Sequence, residues 1–323
     1  MTDVLEGARV WVAGHTGLAG SAIVRRLQSE PIAALLTVGS QQLDLRRQAE
    51  TEAYLQDTRP DVVILAAARV GGIHANRSAQ GRFLYDNLMI GANVIEAARR
   101  VGVQRMVVLG SSCVYPREAP QPIPESALLT GPLEPTNEGY AVAKIAALEL
   151  TKMYRREYEF PAISLMPTNL YGPGDDFDLQ NAHVLPALLH RVHLAKVQAS
   201  DTVTVWGTGR PRREFLHSDD LADAVVFALR HYDGEEHLNV GTGEDIAISD
   251  LAHLIADVVG WRGEFVFDED MPDGTPRKLL DVSRLQALGW SARTPLRDGV
   301  AATYRWFVEH HAAARVGATA SST

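Results

Sequence analysis

Short apolar runs alternate with longer helical stretches through the first half of the chain. The runs are brief and nearly continuous, as expected of strands that are buried on both faces. Stretches between them, such as 21–27 and 87–96, have helical patterns. This alternation predicts an α/β fold with a Rossmann-type, doubly wound parallel sheet. The strand candidates are residues 9–13, 35–38, 61–65, 105–109 and 162–166.

A glycine-rich turn joins the first predicted strand to the first predicted helix. It reads Gly14-His15-Thr16-Gly17-Leu18-Ala19-Gly20. Glycine permits a tight turn and close approach of the backbone to a ligand. The helix N-terminus that follows offers free N–H groups to a pyrophosphate. Taken alone, the spacing is equally consistent with a purely structural turn.

Other segments also follow predicted strands, namely Ala66-Ala67-Ala68, Ser111 and Pro167-Thr168-Asn169. Ligands of a parallel sheet bind beyond the carboxyl ends of its strands, so these segments and the glycine turn predict one shared dinucleotide crevice. Residues 38–42 contain no acid, and the first one after them is Asp44. Nothing there repels a 2′-phosphate, and no arginine is placed for one, so the pattern favours NADP over NAD only slightly.

Tyr140 and Lys144 stand four residues apart, on one face of a predicted helix. A lysine ammonium one turn away is expected to stabilise the phenolate and lower the pKa of the tyrosine. The hydroxyl of Ser111, at a neighbouring strand end, completes a donor and acceptor pair for an alcohol or sugar oxygen. A chance pair on a helix surface is the alternative, and the order of glycine turn, serine strand and Tyr/Lys helix favours the catalytic interpretation.

Composition narrows the class of protein. A chain of 323 residues predicts one large domain and a smaller one. The net charge of −9 argues against a nucleic acid as the main partner. No basic stretch before an apolar run marks a signal peptide, and no segment reaches the about 18 apolar residues of a membrane helix. The single cysteine, Cys113, excludes a disulfide within the chain and a Cys-rich zinc site, which fits the cytoplasm.

Several longer motifs resemble the extended short-chain dehydrogenases/reductases that modify nucleotide sugars. They are the runs 66–73, 109–116, 133–138, 166–173 and 272–278. Within that group the chain resembles the 3,5-epimerase-4-reductases of GDP-4-keto-6-deoxy sugars. The resemblance implies an NADPH-dependent enzyme that inverts C3 and C5 of the sugar and then reduces the ketone at C4. It also implies a homodimer that forms through a bundle of helices from both subunits.

The residue at position 113 distinguishes the reactions within this group. Related dehydratases have an acid pair at the corresponding position, and related 4-epimerases have a small hydroxyl residue there. A thiol, with an ordinary pKa of about 8.5, suits proton abstraction beside a ketone. The alternative is a small buried hydrophobic residue. The resemblance makes His183 the acid on the opposite face of the sugar; otherwise it is a histidine capped at a helix start. The catalytic set is Ser111, Cys113, Tyr140, Lys144 and His183, with Ser112 assisting.

The cofactor contacts follow from the strand ends and the resemblance together. Thr16 and Ser40 stand where arginines of the family meet a 2′-phosphate, so this chain departs from the pattern there. The predicted contacts are Gly14, His15, Thr16, Gly17, Leu18, Ala19, Gly20, Ser40, Asp44, Leu45, Ala66, Ala67, Ala68, Leu109, Gly110, Ser112, Lys144, Pro167, Thr168, Asn169, Leu170 and His183.

The second half of the chain is less regular and supplies the substrate side. The resemblance assigns the nucleotide-sugar contacts to Arg191, Trp206, Arg213 and Asp273. Arginine suits a diphosphate because its planar fork binds two oxygens at once. For Arg210 and Arg212 a solvated loop is the alternative.

The domain prediction places the NADP-binding domain at 1–172 plus about 212–242, since 215–221 resembles the superfamily's return helix. A smaller, mixed α/β substrate domain takes 173–211 plus 243–315, and 316–323 form a disordered tail. Two rivals remain. One is a 4-reductase or 4-epimerase of a different nucleotide sugar. The other is a nucleotide-binding regulator on the same fold, which commonly lacks the Tyr/Lys pair.

Overall fold

Six parallel strands form the central sheet of the computed structural model, which describes residues 3–179, 182–271 and 273–312. The sheet strands are β1 (Arg9–Ala13), β2 (Ala34–Leu36), β3 (Val62–Leu65), β4 (Arg105–Leu109), β5 (Ala162–Pro167) and β9 (Leu238–Val240). Their order is β2-β1-β3-β4-β5-β9, so the chain changes direction across the sheet between β1 and β3. Ligands of doubly wound sheets bind at such a switch point.

Alternate side chains of the central strands enter different helix layers. Val10 and Val12 of β1 lie in a core with helices α1 (Leu18–Leu27) and α7 (Ser218–His231). Trp11 and Ala13 lie in a second core with α2 (Gln48–Thr58), α4 (Gln80–Val101) and α5 (Glu138–Tyr158). A strand alternates its side chains between its two faces, so both faces must be apolar here. The predicted doubly wound α/β fold is confirmed.

Most of the remaining elements build a smaller mixed unit. Their bounds are β6 (Asn169–Tyr171), α6 (Val184–Val197), β7 (Thr202–Trp206), β8 (Arg212–His217), β10 (Asp245–Ala247), α8 (Ile248–Val259), β11 (Glu264–Asp268), β12 (Arg277–Lys278) and α10 (Leu296–Phe307). The apolar core of this unit comes from α6, α8 and α10 and from the inward side chains of β7 and β8. Helix α9 (Ser283–Ala287) instead packs on the core of the central sheet through Leu285. A short helix α3 (Ile73–Ser78) precedes α4, and single turns span Ser112–Val114, Glu125–Ala127 and Val308–Ala312.

Strand β8 organises this smaller unit. It pairs with β6 and β12 in parallel and with β10 antiparallel, while β7 and β11 form a separate parallel pair. Arg213 of β8 lies opposite Lys278 of β12 in this register. The strand therefore holds Arg277 and Lys278 beside Arg212 and Arg213.

The strand predictions differ from the structure chiefly at the sheet edge. Strand β2 spans Ala34–Leu36 rather than 35–38, because this edge strand pairs with β1 only as far as Leu36 opposite Trp11. The other four strand candidates are confirmed to within about one residue. The proposed domain boundaries remain a prediction, and the predicted tail 316–323 lies outside the described residues.

Candidate active site

The glycine turn forms a close-fitting cradle at the start of α1. Gly14 has φ +91°, and a Cβ atom there would lie 2.7 Å from the backbone of Ala67. Gly17 caps α1 without a side-chain hydrogen bond, which leaves the first N–H groups of the helix free. Any side chain larger than a hydrogen atom would occupy the space in front of these N–H groups. Because glycine leaves that space open, the cradle fits a pyrophosphate. Thr16 and Gly17 are exposed at its rim.

The other predicted cofactor segments lie at the same sheet edge. Ala66–Ala68 follow β3, Gly110 and Ser111 follow β4, and Thr168 follows β5. The buried Gly110 has no room for a side chain, since a Cβ atom would be 2.3 Å from Met166 Sδ. These segments surround one crevice with the glycine turn, as the strand-end argument predicts.

Sequence reasoning missed Arg46 at the ribose end of this crevice. The Arg46 guanidinium donates to both carboxylate oxygens of Asp44, at 2.9 and 2.8 Å, and to Asp86 at 3.1 Å. This pairing lowers the pKa of Asp44. Ser40 is exposed, and the Leu45 carbonyl accepts from Asn93 at 2.9 Å. The acid after β2 is therefore partly neutralised by its neighbour, which removes an obstacle to a 2′-phosphate.

Lys144 and Tyr140 lie on the first two turns of α5. The Lys144 ammonium is buried and donates to the Leu109 carbonyl at 2.8 Å, and it lies 5.9 Å from the centre of the Tyr140 ring. Ser111 lies close enough to the Tyr140 hydroxyl to lower the pKa of the phenol. The helix thus brings both residues to the serine at the end of β4, as the sequence predicts.

The expectation that Lys144 lowers the pKa of Tyr140 is wrong for this structure. Burial raises the pKa of Tyr140. A charge on Cys113 raises this pKa further, while the interaction with Ser111 lowers it. Burial also lowers the pKa of Lys144 to about 8. The ammonium bonds to a backbone carbonyl rather than to the phenol, so it does not stabilise the phenolate directly. Tyr140 is therefore a protonated donor near neutral pH.

Cys113 lies in the turn that follows β4, with a thiol that is partly exposed. Its neighbours Ser112 and Val114 are buried, and its backbone N–H donates to Ser111 Oγ at 3.3 Å. The ammonium of Lys278 lies 3.6 Å from the Cys113 sulfur. The thiol thus faces a cation and the Tyr140 hydroxyl, in contrast to a cysteine that packs as a core hydrophobic residue.

His183 is the residue immediately before α6, and its side chain makes no capping hydrogen bond. The residue is exposed to solvent, although many protein atoms surround the imidazole. Burial lowers its pKa, the nearby Asp176 carboxylate raises it, and Lys278 lowers it. Lys278 is therefore within electrostatic range of His183, and its ammonium lies 3.6 Å from the Cys113 sulfur.

The predicted substrate residues Arg191, Trp206 and Arg213 lie on α6, β7 and β8 of the smaller unit. The Arg191 guanidinium stacks 4.7 Å from the centre of the Trp206 ring, and Trp206 is 47% exposed. Such an exposed, cation-backed indole can receive a base or a sugar. Asp273 accepts from the backbone and hydroxyl of Thr208, at 2.7 and 2.8 Å.

Arg213 is more deeply buried than Arg210 and Arg212. Burial lowers its pKa, and it lies in the fields of Asp273, Glu134 and Cys113. Arg212 instead pairs with Asp245 at 2.7 Å, and Arg210 is exposed. The structure therefore brings Arg213, but neither of the other two, to the site. Lys278 belongs to the run 272–278, but its closeness to the thiol cannot be predicted from the sequence.

Residues 3–179, 182–271 and 273–312 contain neither a metal-binding cluster nor a helix that could cross a membrane. In that part of the chain, no cluster of three or more His, Cys, Asp or Glu side chains is arranged to hold a metal ion. None of its helices combines the length and apolar character that a membrane crossing requires.

A glycine cradle at a switch point, beside a Ser/Tyr/Lys set, defines a dinucleotide-dependent oxidoreductase or epimerase of the Rossmann type. Residues 10–241 match the sequence model of the NAD dependent epimerase/dehydratase family. GDP-L-fucose synthase 1 of Arabidopsis thaliana is 53% identical over 94% of this chain and 94% of that protein. The chain belongs to the GDP-L-fucose synthase family.

Two solved structures share the fold over nearly the whole chain. A GDP-6-OMe-4-keto-L-xylo-heptose reductase from C. jejuni is 33% identical, with a TM-score of 0.90 over 94% of this chain and 99% of that one. A GDP-L-fucose synthetase from Naegleria fowleri bound to NADP is 29% identical, with a TM-score of 0.87 over 95% and 96%.

Proposed function

We propose that this protein converts GDP-4-keto-6-deoxy-D-mannose to GDP-L-fucose in the cytoplasm, using NADPH. Inversion at C3 and C5 precedes reduction of the C4 ketone. One observation carries the proposal: the thiol of Cys113 lies beside the Ser111–Tyr140 pair, so that proton transfer at carbon and reduction share a site. The 53% identical Arabidopsis relative, which bears the name GDP-L-fucose synthase, supports the choice of substrate.

The residues at the switch point fit NADP. Gly14, Gly17 and Gly20 would hold the pyrophosphate on the free N–H groups of α1. Arg46 offsets the charge of Asp44 near the ribose. When bound, NADPH supplies the hydride that reduces C4. The NADP in the Naegleria fowleri relative supports this choice over NAD.

Epimerisation needs a base and an acid on opposite faces of the sugar. The C4 ketone acidifies the protons at C3 and C5, and Cys113 takes each proton: a C–H bond breaks and an S–H bond forms. The electron pair moves to the C4 oxygen, where the Ser111 and Tyr140 hydroxyls donate hydrogen bonds. His183 then gives a proton to the same carbon from the other face, which inverts the centre.

Reduction uses the same pair of hydroxyls. Tyr140 gives its proton to the C4 oxygen as that oxygen gains charge, and Ser111 holds the oxygen in place. The buried Lys144 ammonium is fixed by the Leu109 carbonyl, 5.9 Å from the centre of the Tyr140 ring, so it acts on the developing phenolate through its field and not through a direct bond. Arg191, Trp206 and Arg213 would hold the GDP group.

Two variants test whether Cys113 acts in epimerisation and Tyr140 in reduction. The assay incubates the substrate in D2O without NADPH, follows deuterium at C3 and C5 by mass spectrometry, and follows NADPH oxidation separately. Cys113→Ser should lower deuterium uptake by at least about 100-fold, since a serine hydroxyl is a far weaker base, and should still bind NADPH. Tyr140→Phe should keep deuterium uptake measurable and abolish GDP-L-fucose formation. Normal uptake in Cys113→Ser would show that another residue is the base.

A second candidate is reduction of a different GDP-4-keto sugar. It is favoured by the reductase of a GDP-keto-heptose from C. jejuni, which matches this fold with a TM-score of 0.90. NMR of the products from a panel of GDP-keto sugars, with NADPH and NADH supplied separately, distinguishes the two functions and the two cofactors. A preference for another sugar by kcat/KM would replace GDP-L-fucose as the product.

A homodimer through α4 and α5 is part of the proposal. The outward faces of these packed helices expose Tyr85 (59%), Leu88 (39%), Val142 (41%) and Met153 (42%). A second copy of the same pair would cover them. Leu88→Glu with Val142→Glu should halve the mass measured by light scattering, whereas Val266→Glu, at a separate exposed valine, should not. An unchanged mass in the double variant would place the interface elsewhere.

A further inference from the structure

Among the residues that the structure describes, the ammonium of Lys278 contacts a thiol instead of a carboxylate. The ammonium nitrogen lies 3.6 Å from the sulfur of Cys113, which is the single cysteine of the chain. Across residues 3–179, 182–271 and 273–312, no salt bridge joins this ammonium to a carboxylate, although the neighbouring Arg277 has one. The ammonium donates toward the sulfur, which is the atom that would carry the charge of a thiolate.

Strand alternation explains why Lys278 reaches the thiol. Arg277 and Arg212 are opposite each other on β12 and β8, and both pair with Asp245. The next residues, Lys278 and Arg213, must point to the other side of these strands. Lys278 and Arg213 are thereby directed into the site, while Arg277 and Arg212 are neutralised by Asp245.

The buried carboxylate of Glu214 fixes the segment that carries Lys278. It accepts from the backbone N–H of Leu280 at 3.0 Å and from those of Thr242 and Gly243 at 2.7 and 2.8 Å. Glu214 is fully buried, so these bonds are shielded from water. Strand β12 is consequently held against β8, and the lysine stem starts from a fixed point.

We propose that Lys278 is a positioning residue for epimerisation: it pairs with the Cys113 thiolate and keeps it available as the base. The inference rests on the proposed function of Cys113. Other charged and titratable groups also face the thiol. Tyr140 is on α5, Arg213 on β8, and Arg117, Glu134 and Arg277 line the small cavity beside it.

The most direct rival role for Lys278 is a contact to the diphosphate of the substrate. That role predicts a higher KM for the GDP sugar and an unchanged thiol. The proposed role predicts a changed thiol in the absence of any substrate. The two can therefore be separated without a catalytic assay.

The test measures the rate of iodoacetamide alkylation against pH in the full-length protein with NADP present. Cys113 is the only cysteine, so the label reports this site alone. Loss of a cation at this distance should raise the midpoint pH of alkylation by about one unit or more in Lys278→Met and Lys278→Gln, and slow labelling near pH 7 about tenfold. Lys278→Arg should stay near the wild-type midpoint.

Lys152→Met is the matched control, because it removes an equal charge that pairs with Glu236 at 2.7 Å away from the site. Its midpoint should not change. NADP binding verifies that each variant is folded, and glutamine replaces methionine if the apolar side chain disturbs the fold. An unchanged midpoint in the uncharged variants overturns the proposal. Failure to form GDP-L-fucose would refute the proposed function instead, and the alkylation result is independent of it.

Discussion

Gly20 lies directly against the carbonyl oxygen of Gly14: a Cβ atom on Gly20 would be 2.0 Å from that oxygen and 2.7 Å from the carbonyl carbon. Both contacts are with backbone, so no side chain can rotate away to make room. The closeness of these two glycines lets the chain turn from β1 into α1 within seven residues, from Gly14 to Gly20. The free N–H groups of α1 then face the crevice.

Gly20→Ala should therefore open the turn and weaken NADP binding. The added methyl group must displace the backbone of Gly14, which costs about 1–3 kcal/mol, and the cradle loses its shape. We expect the dissociation constant for NADPH, measured by fluorescence titration, to rise at least about tenfold. Gly81→Ala is the control, since a Cβ atom there meets nothing within 4 Å. Equal affinity in both variants would mean that the turn does not hold the pyrophosphate.

The sequence predicts the features of the fold that depend on local patterns of residues. Fully apolar runs predict strands buried on two faces, and Val10 and Trp11 do enter different cores. The position of Ser111 at a strand end, together with the spacing of Tyr140 and Lys144 on one helix face, also predicts that these three side chains lie close to each other. The sequence cannot predict contacts that depend on the register of β12 with β8. Lys278 and Cys113 are 165 residues apart, and no motif links them.

The failed expectation about Tyr140 has a related cause. Spacing along a helix places Lys144 on the same face as Tyr140, but it does not determine where a long side chain points. Here the ammonium bonds to Leu109, and burial dominates the pKa of the tyrosine. Only the packing of α5 against β4 reveals this.

Lys144→Met should impair reduction far more than epimerisation. The ammonium is bonded to the Leu109 carbonyl beside the Tyr140 phenol, whereas the cation next to the Cys113 sulfur is Lys278. We expect NADPH oxidation to slow by about 100- to 10,000-fold, with deuterium uptake at C3 and C5 retained. Because the pKa of Lys144 is about 8, the ammonium is present below pH 8 and lost above it, so wild-type reduction should fall as pH rises past about 8.

Lys152→Met, two turns further along α5, is the control for this experiment. Its ammonium pairs with Glu236 at 2.7 Å and does not approach Tyr140. Its reduction rate should match the wild type. Equal loss of both half-reactions in Lys144→Met would indicate a general disturbance of α5 rather than a role in reduction.

Arg213→Met should weaken substrate binding more than turnover. Arg213 is directed into the site from β8, and its neighbours Arg210 and Arg212 are not. A charge-assisted hydrogen bond contributes about 1.5–3 kcal/mol, so the KM for the GDP sugar should rise about 10- to 100-fold. Arg210→Met removes an equal charge from an exposed position and should change KM less than about twofold. A lower kcat at constant KM would instead place Arg213 at the reacting sugar.

Asp175→Asn should stabilise the protein in a pH-dependent way. Asp175 is buried, and its Oδ2 atom has no hydrogen-bond partner among the described residues. Burial raises the pKa of this carboxyl to about 7, against an ordinary 3.8. Between these values the native protein holds a proton that the unfolded chain has lost, so the free energy of unfolding falls as pH rises through this window. Above about pH 7 a buried charge remains.

Asparagine stays neutral throughout, so its advantage over aspartate should grow from about pH 4 to pH 7 and then level off. Thermal unfolding followed by circular dichroism should give an increase in Tm at pH 8 that exceeds the increase at pH 5 by at least about 2 °C. Asp201→Asn changes an exposed carboxylate and should give no such difference. If the gain from Asp175→Asn were the same at both pH values, the carboxyl would not be titrating in the native protein.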